Sequence, residues 1–222
     1  MEPNISPRRL SSIDDLLAEI RARIGDASVF VVSFDGRSGA GKSTLASVVA
    51  SALGATTVPS DDFFAAELPD AEWDRRTAEQ RAADAIDWRR LRQDALEPLR
   101  KGLPARWFAF DFSAGARPDG TYPMLTTATE RPPSKLVILD GAYSSRAELT
   151  DLIDLSVLVE VEPAQRLRRL AVREDAAFLK SWHARWDGAE EHYFSRVRPP
   201  ASFDLVFDSS ASGRVQPATG ST

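Results

Sequence analysis

The sequence predicts an α/β fold, and three observations carry that expectation. Residues 29–53 (VFVVSFDGRSGAGKSTLASVVASAL) read as a buried strand, a glycine-rich turn and an amphipathic helix stopped by Gly54. Three further runs, 135–141, 155–161 and 201–208, have the length and apolar character of buried strands and alternate with helical stretches. At 222 residues the chain can hold one large domain of this class with a lid or subdomain added.

The glycine-rich turn carries the chemistry. Gly36, Arg37, Ser38, Gly39, Ala40, Gly41, Lys42 and Ser43, followed by Thr44, fit the P-loop spacing G-x-x-x-x-G-K-[ST]. The three glycines permit backbone conformations and close approaches that a side chain would block. The backbone N–H groups then converge on a phosphate at the helix N-terminus, where the dipole favours negative charge. Lys42 reaches the outer phosphates, and the Ser43 hydroxyl holds a magnesium ion. The plainer reading is a glycine-rich surface loop. The strand before the motif and the helix after it weaken that reading.

Composition bounds the rest. Hydrophobic residues make up 43% and charged residues 27%, ordinary values for a soluble globular chain. A net charge of −5 argues against broad electrostatic binding of nucleic acid. The absence of cysteine excludes disulfides, thiolate metal sites and cysteine nucleophiles. The opening MEPNISPRRL lacks the apolar core of a signal peptide, and no run is long enough to span a membrane. A cytoplasmic protein is expected.

Residues 1–10 read as a loose polar arm. Ser12 and Asp15 fit a capping box, and Ile13, Leu16, Leu17, Ile20 and Ile24 repeat at helical spacing up to Gly25. Thr56, Thr57 and Val58 form a short strand that ends in Asp61 and Asp62. A carboxylate at the C-terminal edge of an open α/β sheet can accept the proton of an attacking hydroxyl or bind magnesium through water. It can equally be a helix N-cap. Over 65–125 the α/β rhythm breaks: helices are expected at 69–85 and 87–101, a strand at 105–112, and turns at Gly115, Pro118, Asp119 and Gly120. This insertion carries Trp73, Trp88, Trp107, Phe108, Phe110, Phe112 and Tyr122, a density that fits a core before it fits a pocket.

The run 135–141 closes on Asp140, the Walker B pattern of a carboxylate in the magnesium shell. Pro163 opens a helix on which Arg166, Arg169 and Arg173 share one face while Arg168 points away. That face is either simply solvated or part of a lid, over 163–186, that brings cations to a transferring phosphate. His183 and His192 lack a partner set for a metal or a triad. Residues 209–222 read as a disordered polar tail.

Taken together, GRSGAGKST, SDDFF, FDFSAGAR, ILDG and RLRRLAVRED resemble the uridine kinase group of P-loop kinases, kin of phosphoribulokinase and bacterial pantothenate kinase. The resemblance covers about residues 29–208 and implies a P-loop NTPase three-layer sandwich within a single domain, 1–208. That architecture has a five-stranded parallel sheet, a substrate-binding insertion and an arginine-rich lid helix. ATP and Mg2+ are implied as cofactors, with a small hydroxylated substrate, nucleoside-like or sugar-like, and no nucleic-acid or membrane partner. By matching position, Asp61 is the general base, and Asp140 stands where the family usually has a glutamate near magnesium. Arg166, Arg169 and Arg173 match the lid, while Phe64, Phe110, Phe112 and Arg117 match the acceptor pocket. Asp84 is the nearest acid for ribose hydroxyls. Gly115 falls where nucleoside kinases carry a base-reading histidine. The expected activity is ATP-dependent phosphorylation of a small metabolite. The rivals are a nucleotide-binding regulator without catalysis and a P-loop ATPase or GTPase switch. The lack of an [NT]-K-x-D motif and Gly141 after Asp140 disfavour the switch.

Overall fold

The computed structural model describes residues 6–173 and 176–210. In chain order the sheet and its first helices are β1 (Arg8–Leu10), α1 (Ile13–Ile24), β2 (Phe30–Asp35), α2 (Lys42–Leu53) and β3 (Thr56–Pro59). The insertion follows with α3 (Asp70–Arg75), α4 (Ala78–Asp84), α5 (Trp88–Arg90), α6 (Glu97–Arg100), β4 (Ala105–Trp107) and β5 (Thr129–Arg131). Then come β6 (Leu136–Asp140), β7 (Leu155–Glu160), α7 (Pro163–Arg173), α8 (Ala176–His192) and β8 (Leu205–Asp208).

The main sheet runs β1-β8-β7-β2-β6-β3, with every neighbouring pair parallel. Its inner strands are buried on both faces, which is why they read as continuous apolar runs and not as alternating ones. Successive side chains of β2 divide between two cores. Phe30, Val32 and Phe34 pack with Leu16, Ile20, Leu45 and Val49 of α1 and α2. Val31 packs on the opposite side, with Val137, Leu139 and the buried residues of the insertion. The result is a three-layer sandwich. Ser12 caps α1 by accepting from the Asp15 amide at 3.3 Å, a contact typically worth about 1 kcal/mol.

Six strands form this sheet, not five. The segment read as a loose arm supplies β1, whose Leu10 is buried and whose register places Arg8 beside Leu205. Two exposed arginines on a three-residue edge strand hide that strand from a polarity argument; Arg9 pairs with Glu160 at 2.6 Å. In the insertion the strand expected over 105–112 stops at Trp107 and pairs antiparallel with the polar β5. Beyond it Phe110 makes only an isolated bridge to Met124, and Asp111 turns the chain by accepting from Ser113. The helix expected over 87–101 is present but widens to π geometry over Leu91–Leu96 before Gly102, at φ 71°, ends it. Among the described residues no helix is long and apolar enough to cross a membrane.

Candidate active site

Register brings the acidic strand ends together. Asp140, last residue of β6, lies level with Phe34 of β2 on one side and with Pro59 of β3 on the other. The P-loop leaves β2 at this edge, where the chain first passes to β3 and later returns to β7 on the other side of β2. Such a switch point is where open α/β sheets bind ligands.

Close contacts set the shape of the loop. A Cβ on Gly36 would stand 2.3 Å from the Val159 carbonyl oxygen, and one on Gly39 within 3.2 Å of Leu170 and Arg166. Both glycines have positive φ, so their lack of a side chain is required twice over. Helix α2 begins at Gly41 with no side-chain cap. Its first amides therefore have no side-chain cap from Gly41, the N-cap residue. Lys42 is buried and donates from Nζ to the Arg37 carbonyl at 3.2 Å, across the loop's own concavity. Ser43 and Thr44 are exposed at the helix start.

Asp140 faces this group. Burial pushes its carboxyl up to about 6, against the lowering pull of Lys42 and of a hydrogen bond with Ser43, while Asp61 and Asp35 raise it further. Its Oδ1 is buried and has no hydrogen-bond partner among the described residues. Gly141 follows at φ 144°, and a Cβ there would come 1.8 Å from Ser60 Oγ and 3.4 Å from Asp61 Oδ1. No side chain fits between the two strand ends, which accounts for glycine after the Walker B aspartate.

The two neighbouring aspartates have different surroundings. Asp62 accepts from Trp107 Nε1 at 2.8 Å, and burial in the insertion raises its pKa. Asp61 is exposed on the short 3-10 turn Ser60–Phe63, beside Gly141 and within electrostatic reach of Asp140. The aromatic residues also divide. Trp73 and Trp107 are core. Phe64 contacts Phe110 at 5.1 Å and Trp186 at 5.9 Å, and Phe110 contacts the exposed Phe112 at 4.7 Å. Arg117 is occupied within its own turn, donating to the Tyr122 carbonyl at 2.8 Å. Asp84 pairs with Arg76 and lines an open cavity of about 610 Å³ with Glu67, Asp87, Trp88 and Arg90. Asp61, Phe110 and Phe112 take no part in that lining.

The α7 arginines expected to form a lid rest on the glycine-rich loop itself. Arg166 donates to the Ser38 carbonyl at 3.3 Å, and Arg169 donates to the Ala40 carbonyl at 3.0 Å and to Ser209. Burial lowers the pKa of Arg169. Arg168 is exposed, as the helical face requires. The side chain of Arg173 lies outside the described residues, as do residues 211–222 of the expected tail. Ser209, assigned to that tail by polarity, is instead buried and donates to the Ala40 carbonyl at 2.6 Å.

Sequence reasoning misses two further acids here. Asp35 is fully buried, and both its oxygens are filled: Oδ1 accepts from Gly36 N and Tyr143 N, Oδ2 from Ser145 N and Tyr193 Oη, at 2.8–3.0 Å. Burial pushes its pKa up and those donors oppose the rise. Tyr143 is held at φ 64°, an uncommon conformation for a tyrosine, by a turn that Asp35 anchors. An acid at the end of a largely apolar strand, just before the glycine-rich turn, is the available signal. Glu190 of α8, equally buried, accepts from Ser38 N at 2.8 Å.

No protein-family model and no curated protein sequence matches the chain. Solved structures do. A "possible uridine kinase" from Bacillus stearothermophilus aligns with a TM-score of 0.65 at 20% identity, over 88% of this chain and 97% of that one. A "putative fructose transport system kinase" from Silicibacter sp. TM1040 gives 0.63 at 21%, over 89% and 99%. The protein YGR205w gives 0.54 at 13%, over 90% and 95%. At such identities the likeness is one of fold, and the chain has the α/β fold of the uridine kinase-like P-loop kinases.

Proposed function

We propose that the protein is an ATP-dependent kinase that transfers the γ-phosphate to a hydroxyl of a small metabolite, nucleoside-like or sugar-like. One observation carries this reading: Lys42, Ser43, Asp61 and Asp140 meet at one sheet edge around an uncapped helix N-terminus. In this scheme the P-loop amides and Lys42 hold the phosphates and stabilise charge on them. Asp61, exposed and next to Asp140, takes the acceptor proton, whereas Asp62 is held by Trp107. The exposed edge of the aromatic group, Phe64 with Phe110 and Phe112, offers the acceptor a stacking surface.

A magnesium ion fits the residues present. Asp140 has an unpartnered buried oxygen beside Ser43. A nucleotide-bound magnesium ion draws most of its ligands from phosphate and water, so one or two side chains suffice. When bound, it would neutralise charge on the phosphates.

The test is ADP release with and without a panel of hydroxylated metabolites. Acceptor-dependent release is expected; acceptor-independent release would indicate an ATPase, and binding without turnover a regulator. Within that panel uridine and cytidine should be poor, because discrimination of a base needs polar groups at its edge. Gly115 is exposed with nothing near it, and Arg117 is engaged locally. A kcat/KM for either nucleoside at or above about 10⁴ M⁻¹s⁻¹ contradicts this. Asp61→Asn should lower kcat by about 10²- to 10⁴-fold with ATP affinity changed far less. If Asp62→Asn gives that loss instead, the base is misassigned.

A further inference from the structure

Three successive P-loop positions are held by the end of α8 and by Tyr193, the residue that follows it. Gly36 is held through Asp35 by Tyr193, Arg37 pairs with Glu191 at 2.5 Å, and the Ser38 amide donates to Glu190. The Ser38 contact differs from the others. Glu190 is 1% exposed, its Oε1 is filled by the Ser38 N–H, and its Oε2 has no hydrogen-bond partner among the described residues. The cation paired with Oε2 is Arg166, whose Nη1 lies 3.7 Å away while also donating to the Ser38 carbonyl. One residue of the loop is thus gripped at its N–H by an acid and at its carbonyl by a base, across two adjoining peptide units, and acid and base pair with each other. Helix α7 packs closely against the next residue, so that a Cβ on Gly39 would stand 3.0 Å from Leu170 and 3.1 Å from Arg166.

We infer that Glu190 is a positioning residue for the nucleotide site: it fixes the Ser38 N–H and holds the Arg166 guanidinium against the Ser38 carbonyl at the rim of the P-loop. This rests on the kinase reading only for what Arg166 then does. The physical case is the cost of the alternative. A buried carboxylate oxygen without a partner is expensive, and the guanidinium is the charge that offsets it. Arg166 is equally constrained, since the acid behind it fixes which way its remaining donors point. Substitution by glutamine keeps a carbonyl oxygen for the Ser38 N–H and replaces the charged oxygen that holds Arg166 by an amide NH2, which cannot accept from it.

The test is a double-mutant cycle on the full chain with two readouts. The first is amide hydrogen exchange of peptides covering residues 36–41 without nucleotide, and the second is the MgATP Kd by calorimetry. Glu190→Gln should weaken MgATP by about tenfold in the wild-type background and by less than about twofold in Arg166→Ala. Loop exchange should accelerate in each single variant and no further in the double. Arg166→Lys, which leaves Glu190 untouched, should recover part of the protection lost in Arg166→Ala. Glu190→Ala, which also removes the Ser38 acceptor, should exchange faster than Glu190→Gln. Equal effects of Glu190→Gln in both backgrounds, or none in the wild type, overturn the inference. So does an Arg166→Lys variant no better than Arg166→Ala. A wild-type chain that fails to bind MgATP sinks the kinase reading instead, and the exchange cycle still decides the role of Glu190.

Discussion

Asp140 is placed where folding would not choose to put it. Its carboxyl rises from 3.8 to about 6 because burial disfavours the ion, and that rise corresponds to about 3 kcal/mol. Between those two values the folded chain keeps a proton that the unfolded chain has lost. The group therefore favours folding at low pH, and its contribution is lost as pH climbs to about 6. Asp140→Asn approximates the neutral form. Without metal or nucleotide, the variant should be more stable than the wild type by about 1–3 kcal/mol at pH 7.5, with the advantage gone near pH 4. Thermal unfolding at the two pH values checks this, and a variant less stable at pH 7.5 contradicts it. Local spacing makes Lys42, Ser43 and Asp140 legible in the sequence. Asp35 and Glu190 are not, because their partners at Tyr193 and Ser38 lie more than a hundred residues away and no short-range pattern joins them.

At the scale of the element, α7 shows how a correct face can have a second use. The i, i+3 spacing of Arg166 and Arg169 predicts one shared face, and both do reach the P-loop. What spacing cannot show is the partner: backbone carbonyls of the loop, with Ser209 arriving from beyond β8. Arg169→Ala should therefore cost about 1–3 kcal/mol of stability through lost charge-assisted hydrogen bonds, whereas the exposed Arg168→Ala should stay within about 0.5 kcal/mol. Equal losses in denaturant titrations would mean that the brace is not real. The insertion was the least legible element, for a different reason. Its strand β5 is three polar residues long, so neither length nor apolar alternation marks it, and β4 stops at Trp107 where a longer strand is expected.

At the scale of the whole molecule, the sheet order makes β1 an edge strand with a single neighbour, β8. Leu10→Ala should cost about 2 kcal/mol if that strand is part of the core; a change near zero would return residues 8–10 to the status of an arm. The same order has a consequence for how the chain is made. Synthesis produces β1 first and β8 last, and Ser209, which closes the floor of the phosphate loop, comes directly after β8. Until that stretch leaves the ribosome, the earliest strand has no mate and the Ala40 carbonyl of the glycine-rich loop lacks its Ser209 partner. Pairing across so long a span is slow and leaves apolar surface uncovered meanwhile. In a nascent chain of this protein the first strand thus depends on the last for shelter.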